Sequence, residues 1–195
     1  MKISTTTLAG TTVLGALVVV FDYTLKFSGL KIRFPWLPFL KFDFTGIPIV
    51  LSFLLFGLMS GVTTSTVAFL AILGRSGDVI GSSMKGLAEF STILGMALGL
   101  MLLKKPTKLR KPASFVLGIS SRSLIMICMN LILIFTGVLA LYGSYAEIPV
   151  IVSLLVGVFN AIQGSLSILG GYFIYEALIR RAPSLVSREN AKRNS

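Results

Sequence analysis

The stretch "FPWLPFLKFDFTGIPIVLSFLLFGLMSG", Phe34 to Gly61, decides the fold of this chain. Its first half, up to Thr45, mixes aromatic residues with prolines and charges, whereas its second half is almost wholly apolar. Pro35 and Pro38 disfavour a helix through the first half, and a long apolar run is typical of a membrane segment. The stretch therefore predicts a folded loop at a membrane surface that leads into a bundle of membrane helices.

Composition places the whole chain in the class of membrane proteins. Of its 195 residues, 54% are hydrophobic and 13% are charged, and the mean hydropathy is +0.90. A soluble domain of this length needs far more polar surface. The formal net charge of +11 does not indicate nucleic-acid binding. The lysines and arginines lie between apolar runs and at the C-terminus, where membrane topology places them.

The chain lacks the residues that most catalytic and metal sites use. It has no histidine and a single cysteine, Cys128. The commonest general base and the commonest transition-metal ligand are thus missing, and no disulfide framework is possible. No P-loop, HExxH or GxSxG motif occurs. We predict that the chain is not an enzyme and has no catalytic residue, no metal site and no intrinsic cofactor.

The apolar runs predict an all-α membrane protein, a bundle of six transmembrane helices. As one helix, the 29 residues from Gly46 to Gly74 would extend ~43 Å, which exceeds a ~30 Å hydrocarbon core. We therefore split this run near Gly57 and Gly61, although the two glycines also match a GxxxG packing motif. The predicted helices are about 5–23, 46–59, 61–74, 84–103, 113–142 and 150–178. They form one membrane domain, 1–179, followed by a basic tail, 180–195.

Counting cations predicts the orientation. The loop between helices four and five carries five lysines and arginines, the tail carries five, and the turn between helices five and six carries none. Positive loops face the cytoplasm, so we predict a multi-pass protein of the cell membrane with both termini cytoplasmic. The first linker, Lys26 to Thr45, then lies outside despite its four cations. Its charges indicate an anionic ligand or a folded lid, and its aromatic residues are alternatively interface anchors.

Several polar side chains fall within the predicted spans. Asn130 and Asn160 are predicted to reach the same depth on antiparallel helices five and six, and Gln163 shares a face with Asn160. Buried polar groups in a bilayer usually face an interior or a cavity. Three uncharged amides suit a neutral heterocycle better than an ion. Alternatively, they join the helices by hydrogen bonds.

Two charged residues within the spans are interpreted differently. Glu89 is predicted to lie about one turn inside helix four, where it could contact the same cavity. An ion pair with Lys85, four residues earlier, is an equally good interpretation. Arg122 is expected to extend toward the cytoplasmic surface and is left out of the site.

Helix one begins with small and hydroxyl-bearing residues. Thr11 with Gly15, and Thr12 with Ala16, have the four-residue spacing that lets helices approach closely. This stripe predicts packing within the bundle or a docking surface for another membrane subunit.

Four segments resemble one known family. "FLKFDFTGIPIVLSFLLFGLMSGV" resembles the "FLKxDFSDIPALIGxFxxGPxxGV" signature of the S components of energy-coupling factor (ECF) transporters, most closely the riboflavin-specific branch. "GLAEF", Gly86 to Phe90, resembles that branch's "GELANF", and "FNAIQG", Phe159 to Gly164, resembles "FNxIKG". "MNLILIFTGVLALYG" is similar to its helix five, an asparagine followed by an aliphatic run and an aromatic end.

The resemblance implies a substrate-binding subunit that captures riboflavin or a related heterocyclic vitamin under the loop between helices one and two. A membrane T subunit and two ATP-hydrolysing subunits would be its partners, and Thr11, Thr12, Gly15 and Ala16 would contact the T subunit. Asn130 and Asn160 match asparagines that bind the flavin. Gln163 stands where the branch has lysine, Glu89 where it has asparagine, and Gly46 where it has aspartate.

With the linker acting as a lid, the expected substrate site comprises eight residues: Asn130, Asn160, Gln163, Glu89, Trp36, Phe39, Lys41 and Asp43. An S component for a different vitamin or precursor is the alternative closest to this one. A membrane scaffold that binds only protein partners is another. A self-sufficient ion-coupled carrier is disfavoured, because no coupling carboxylate pair or inverted repeat is present.

Overall fold

The computed structural model describes residues 4–103, 109–138 and 148–181. Within these ranges the chain forms six helices and one small hairpin: α1 Thr5–Phe27, β1 Arg33–Phe34, β2 Leu37–Lys41, α2 Gly46–Phe56, α3 Leu58–Ser76, α4 Val79–Leu102, α5 Arg110–Phe135 and α6 Pro149–Arg181. Every helix except α2 is long and apolar enough to cross a membrane. The chain is therefore a multi-pass membrane protein. Most of the predicted basic loop, the end of predicted helix five and the tail beyond Arg181 lie outside the described residues.

Several helix bounds differ from the predicted ones, most clearly between α3 and α4. The predicted polar connector over 75–83 is mostly helical, and α4 begins at Val79 rather than Met84. Asp78 caps α4, because its Oδ1 accepts a hydrogen bond of 2.9 Å from the backbone N–H of Gly81. Gly77, with φ of 65°, ends α3 in the left-handed conformation that glycine favours. Hydropathy misses both caps, because capping residues are polar or small.

The apolar run from Gly46 to Gly74 divides at Gly57. Its φ of 93° is costly for a residue with a side chain, so glycine permits the reversal between α2 and α3. The two helices form a hairpin in which the Ser52 hydroxyl lies 2.7 Å from that of Ser60. Gly61, predicted to border the turn as the first residue of helix three, instead lies inside α3, where an added Cβ would come within 2.9 Å of the Phe53 Cβ.

Helix α2 is short because it begins deep inside the bundle. Its 11 residues extend only ~16 Å along the axis, about half of a hydrocarbon core. An added Cβ on Gly46 would meet the side chain of Ser167, which lies 18 residues into α6. The preceding chain, 28–45, therefore descends between the helices before α2 starts. We name this segment, residues 28–45, the lid.

The small residues of α1 divide between two environments. Thr11 and Gly15 face the bundle: the Thr11 hydroxyl hydrogen-bonds that of Ser60, and Gly15 is buried against Val67. Thr12 and Ala16, about 100° further around the helix, are exposed. Of the four residues, Thr11 and Gly15 thus have the packing role, and only the other two remain available to a partner.

Helices α4 and α5 approach most closely at the second GxxxG pair. A Cβ added to Gly95 would lie 2.3 Å from the carbonyl oxygen of Leu117, and one on Gly99 would lie 2.6 Å from the Cα of Ser114. These are backbone contacts, which side-chain rotation cannot relieve. The pair thus has the packing role typical of small residues in membrane helices.

The Gly99→Ala substitution is expected to destabilise the protein by about 1–3 kcal/mol, because the added methyl group must push α5 away. The matching control is Gly74→Ala in α3, where an added Cβ would meet nothing within 4 Å. Thermal unfolding in detergent should show a lower Tm for Gly99→Ala and no loss for Gly74→Ala. Equal Tm values for both variants would contradict this packing.

Candidate functional site

The lid is held to the bundle by aromatic contacts. Its two short strands pair antiparallel, and its inward-facing rings pack on Phe159 of α6. The ring centroid of Phe159 lies 5.5 Å from that of Phe34 and 4.8 Å from that of Phe42. Such offset and tilted ring pairs stabilise beyond the area they bury. The Trp36 ring packs edge-on with Phe34, and the Trp36 side chain is 63% exposed.

Below these rings, Gln163 of α6 binds the lid backbone. Its Nε2 donates to the carbonyl oxygen of Asp43 at 2.7 Å, and its Oε1 accepts from the Asp43 N–H at 3.4 Å. Non-helical backbone at membrane depth is tolerated only where protein groups satisfy it. The Gln163 amide thus makes the hydrogen bonds to the Asp43 backbone that a neighbouring strand or a helical turn would otherwise make.

The Asp43 side chain begins a series of buried ion pairs. Its Oδ1 lies 3.0 Å from Nζ of Lys85, and Lys85 Nζ lies 2.7 Å from Oε1 of Glu89. The same Glu89 oxygen lies 3.1 Å from Nη1 of Arg122. Glu89 and Arg122 are 0% and 1% exposed, so both charges depend on these contacts.

The sequence predicts that Arg122 extends toward the cytoplasmic surface. This prediction is wrong, because the Arg122 side chain is buried inside the bundle. Its Nε donates to Oδ1 of Asn160 at 3.0 Å, and its Nη1 donates to the hydroxyl of Thr92 at 3.1 Å. The guanidinium stays inside because Glu89 on α4 supplies a countercharge at the same depth. Arg122 therefore belongs to the interior of the candidate site.

The sequence predicts that Asn130 and Asn160 lie at the same depth, but the structure places them at different depths. Asn130 donates to the hydroxyl of Ser153 at 3.0 Å, which places it level with a residue two helical turns before Asn160. Asn160 is level with Arg122 instead. The predicted depth of Asn130 is counted from residue 142, whereas α5 ends at Phe135, seven residues earlier, and α6 begins at Pro149, close to its predicted start. The two asparagines consequently line one cavity at different depths.

That space is a cavity of about 250 Å³ between the lid and helices α4, α5 and α6. Its wall combines apolar and aromatic side chains with two amides, three cations and one carboxylate. The lining residues are Phe39, Leu40, Lys41, Asp78, Ile80, Gly81, Met84, Lys85, Ala88, Arg122, Met126, Asn130, Leu133, Val156, Phe159 and Asn160. A mostly apolar cavity with a few convergent polar groups is typical of small-molecule sites.

Half of the eight predicted site residues line this cavity, namely Phe39, Lys41, Asn130 and Asn160. The other four do not. Gln163 and Asp43 bind each other, Glu89 lies behind Lys85 and Arg122, and Trp36 lies on the outer surface of the lid. The Lys85–Glu89 ion pair, the alternative interpretation of Glu89, is present at 2.7 Å.

Lys85, Arg122 and Phe159 line the cavity but are not among the eight predicted site residues. A signal for Arg122 was available. An arginine in the middle of a membrane helix needs a carboxylate at its own depth, and Glu89 is such a residue once α4 is started at Val79. Phe159 opens the "FNAIQG" segment that resembles the family, but its apolar character alone does not distinguish a cavity residue from a core residue.

The charges of the lid are shifted by their neighbours. Burial raises the pKa of Asp43, but Lys85 and Lys31, with a hydrogen bond from Thr45, outweigh it and hold that pKa below its ordinary value. Partial burial lowers the pKa of Lys41, and the nearby lid cations act in the same direction. The lid surface beside the cavity is therefore electropositive.

Within residues 4–103, 109–138 and 148–181, no group of three histidine, cysteine or acidic side chains could hold a metal ion. The polar groups of the cavity can instead donate and accept hydrogen bonds and present positive charge to an organic molecule.

Comparison with known proteins finds similarity among solved structures. No family model matches the sequence, and no curated protein matches it. A solved structure described as "Structure and mechanism of the S component of a bacterial ECF transporter" superposes with a TM-score of 0.70 at 21% sequence identity. The alignment covers 90% of this chain and 96% of the other. At this identity the similarity establishes the fold: the chain has the architecture of an ECF transporter S component.

Proposed function

We propose that this chain is the substrate-binding S component of an ECF-type transporter and captures a heterocyclic vitamin at the outer face of the membrane. The observation that carries the proposal is the cavity of about 250 Å³ under the lid, enclosed by a fold of the S-component type. Phe39, Met126 and Phe159 offer apolar surface for a flat ring, and Asn130 and Asn160 offer amides for its edge.

Riboflavin is the first ligand to test, because the sequence resembles the riboflavin-specific branch most closely. Another heterocyclic vitamin or precursor is the alternative, because Gln163 and Glu89 differ from the residues of that branch, although both contact the lid and the ion pairs rather than the cavity. The cavity volume of about 250 Å³ falls just below the ~300–1,000 Å³ range of ligand pockets, which also favours a small ligand.

In this proposal a membrane T subunit and two ATP-hydrolysing subunits drive import, and both termini of the chain lie in the cytoplasm. The exposed pair Thr12 and Ala16 on α1 supports a close approach by the T subunit, because small residues let membrane helices pack tightly. The chain itself provides capture and occlusion of the solute.

A scaffold that binds only proteins is the second candidate. It is favoured by one observation: each of the three amides already has a protein partner, namely Ser153, Arg122 and the Asp43 backbone. In a scaffold, the cavity would have no function, and filling it would be harmless.

The Val156→Phe substitution separates the two functions. Val156 is buried in the cavity wall, so the larger ring is expected to fill the space and abolish ligand binding while the fold is kept. Val158→Phe, on the exposed face of the same helix, is the matched control. Ligand at 100 times its Kd should raise the Tm of the wild type and the control by about 5–10 °C. Val156→Phe should show no such shift. Failure of riboflavin and other heterocyclic vitamins to shift the wild-type Tm would favour the scaffold.

A further inference from the structure

The ion pairs of the site belong to a longer series that crosses the protein. Seven charged side chains alternate in sign and connect α3 and α1, through the lid, to α4 and α5. We name this series the charge chain: Arg75, Asp22, Lys31, Asp43, Lys85, Glu89 and Arg122. Its contacts range from 2.6 Å, for Arg75 to Asp22, to 4.0 Å, for Lys31 to Asp43.

The charge chain is not neutral. It contains four cations and three carboxylates, which leaves one positive charge without a countercharge. Its members are largely buried, with side chains that are 17% exposed or less. In such surroundings an unbalanced charge attracts an opposite charge far more strongly than it would in water.

Lys41 adds a second unbalanced cation, and it faces the cavity directly. It is half-buried in the cavity wall, and no salt bridge joins it to a carboxylate within the described residues. Among the described residues, Asp78 is the one carboxylate in that wall, and it is an exposed residue that caps α4. The exposed cations Lys26 and Arg33 lie close enough to oppose the charge of Lys41.

The cavity thus has an apolar part and a cationic part. Met126, Leu133 and Phe159 belong to the first, and the lining cations Lys41 and Lys85 belong to the second. A neutral heterocycle would contact the apolar surface and hydrogen-bond the amides, but it would leave the excess positive charge without a countercharge.

We infer that the transported solute is a heterocycle with a negatively charged substituent, a carboxylate or a phosphate, and that Lys41 is the residue that binds this group. This inference rests on the proposed function and narrows its substrate class. It replaces the neutral ligand expected from the amides alone. Closure of the lid over the solute would bring the anion and Lys41 together in a site that excludes water, where their attraction is strong.

Matched ligand pairs test this inference. Riboflavin with riboflavin 5′-phosphate, and nicotinamide with nicotinate, each differ mainly in the anionic group. Binding to the purified chain in zwitterionic nanodiscs is measured by flavin fluorescence or by calorimetry. We expect the anionic member of a binding pair to bind at least about tenfold more tightly than the neutral member.

Two variants locate the effect. Lys41→Gln should remove most of the preference for the anion and leave the affinity for the neutral member within about twofold. Arg33→Gln lowers the net charge equally and removes the residue opposite Lys41 in the hairpin, yet Arg33 does not line the cavity. The Arg33→Gln variant should keep most of the preference for the anion, because Arg33 attracts the bound anion only through long-range, screened electrostatics.

The outcomes separate this inference from the proposed function. The inference would be overturned if riboflavin or nicotinamide bound as tightly as its anionic partner. It would also be overturned if Lys41→Gln kept the preference for the anion unchanged. Either result would leave the transport proposal standing. Binding of none of the four compounds would contradict both. Adding phosphatidylglycerol to the nanodiscs checks for a lipid headgroup at Lys41, since a headgroup held there would erase the preference and overturn the assignment.

Discussion

Replacing Glu89 with leucine is expected to destabilise the protein by about 3–5 kcal/mol, the largest effect among the substitutions considered. The change removes the carboxylate that lies between Lys85 and Arg122 and leaves the buried guanidinium without its countercharge. Arg122 would keep only its neutral partners Asn160 and Thr92. Thermal unfolding in detergent should show the loss as a Tm lowered by about 6–20 °C.

Glu176→Leu is the matched control for this substitution. Glu176 also pairs with a cation, Lys111 at 3.1 Å, but both side chains are 48% exposed. Such a pair contributes about 0–1 kcal/mol, so the control should unfold close to the wild-type Tm. The double variant Glu89→Leu with Arg122→Met should recover much of the stability, because it removes both charges together. Similar Tm values for Glu89→Leu and Glu176→Leu would show that the buried pair does not stabilise the fold.

Replacing Gln163 with leucine is expected to release the lid from α6. The substitution leaves the buried N–H and carbonyl groups of Asp43 without the amide that binds them. Each unsatisfied group costs about 1–3 kcal/mol, which the chain can avoid by letting the lid rise toward water. Hydrogen exchange of the lid, residues 28–45, should therefore accelerate, and exchange at the α4–α5 interface should change little.

Ser165→Ala is the control for Gln163→Leu. The Ser165 hydroxyl lies two residues away on the same helix and donates only to the carbonyl of Ala161, at 2.7 Å. Its loss should leave lid exchange unchanged. Lid exchange that is equally slow in Gln163→Leu and Ser165→Ala would contradict the role of Gln163 as the lid's attachment.

The membrane class and the approximate positions of the helices follow from patterns that the sequence displays directly. Long apolar runs predict the helices, and prolines in the linker predict a segment that is not helical. The pattern also predicts a break in the run from Gly46 to Gly74, and Gly57 provides it. Caps such as Asp78 escape this approach, because a polar residue at a helix end has the same hydropathy as one in a loop.

The candidate site is predictable only in part. The sequence predicts Asn130 and Asn160 as site residues because amides in membrane helices usually face an interior, and both line the cavity. The position of Gln163 was not predictable, because nothing in the helix pattern indicates that the lid descends to its level. Arg122 was misplaced for a related reason. Its countercharge comes from a different helix, and the pairing of charges between helices depends on their relative heights.

Titration of the purified chain alone, without a T subunit or ATPases, tests the central claim most directly. The chain in nanodiscs is titrated with riboflavin and with riboflavin 5′-phosphate, and flavin fluorescence is recorded beside the Val156→Phe variant. We expect saturable binding of one flavin per chain that is lost in Val156→Phe. Equal fluorescence changes for the wild type and Val156→Phe would show that no flavin enters the cavity beneath the lid.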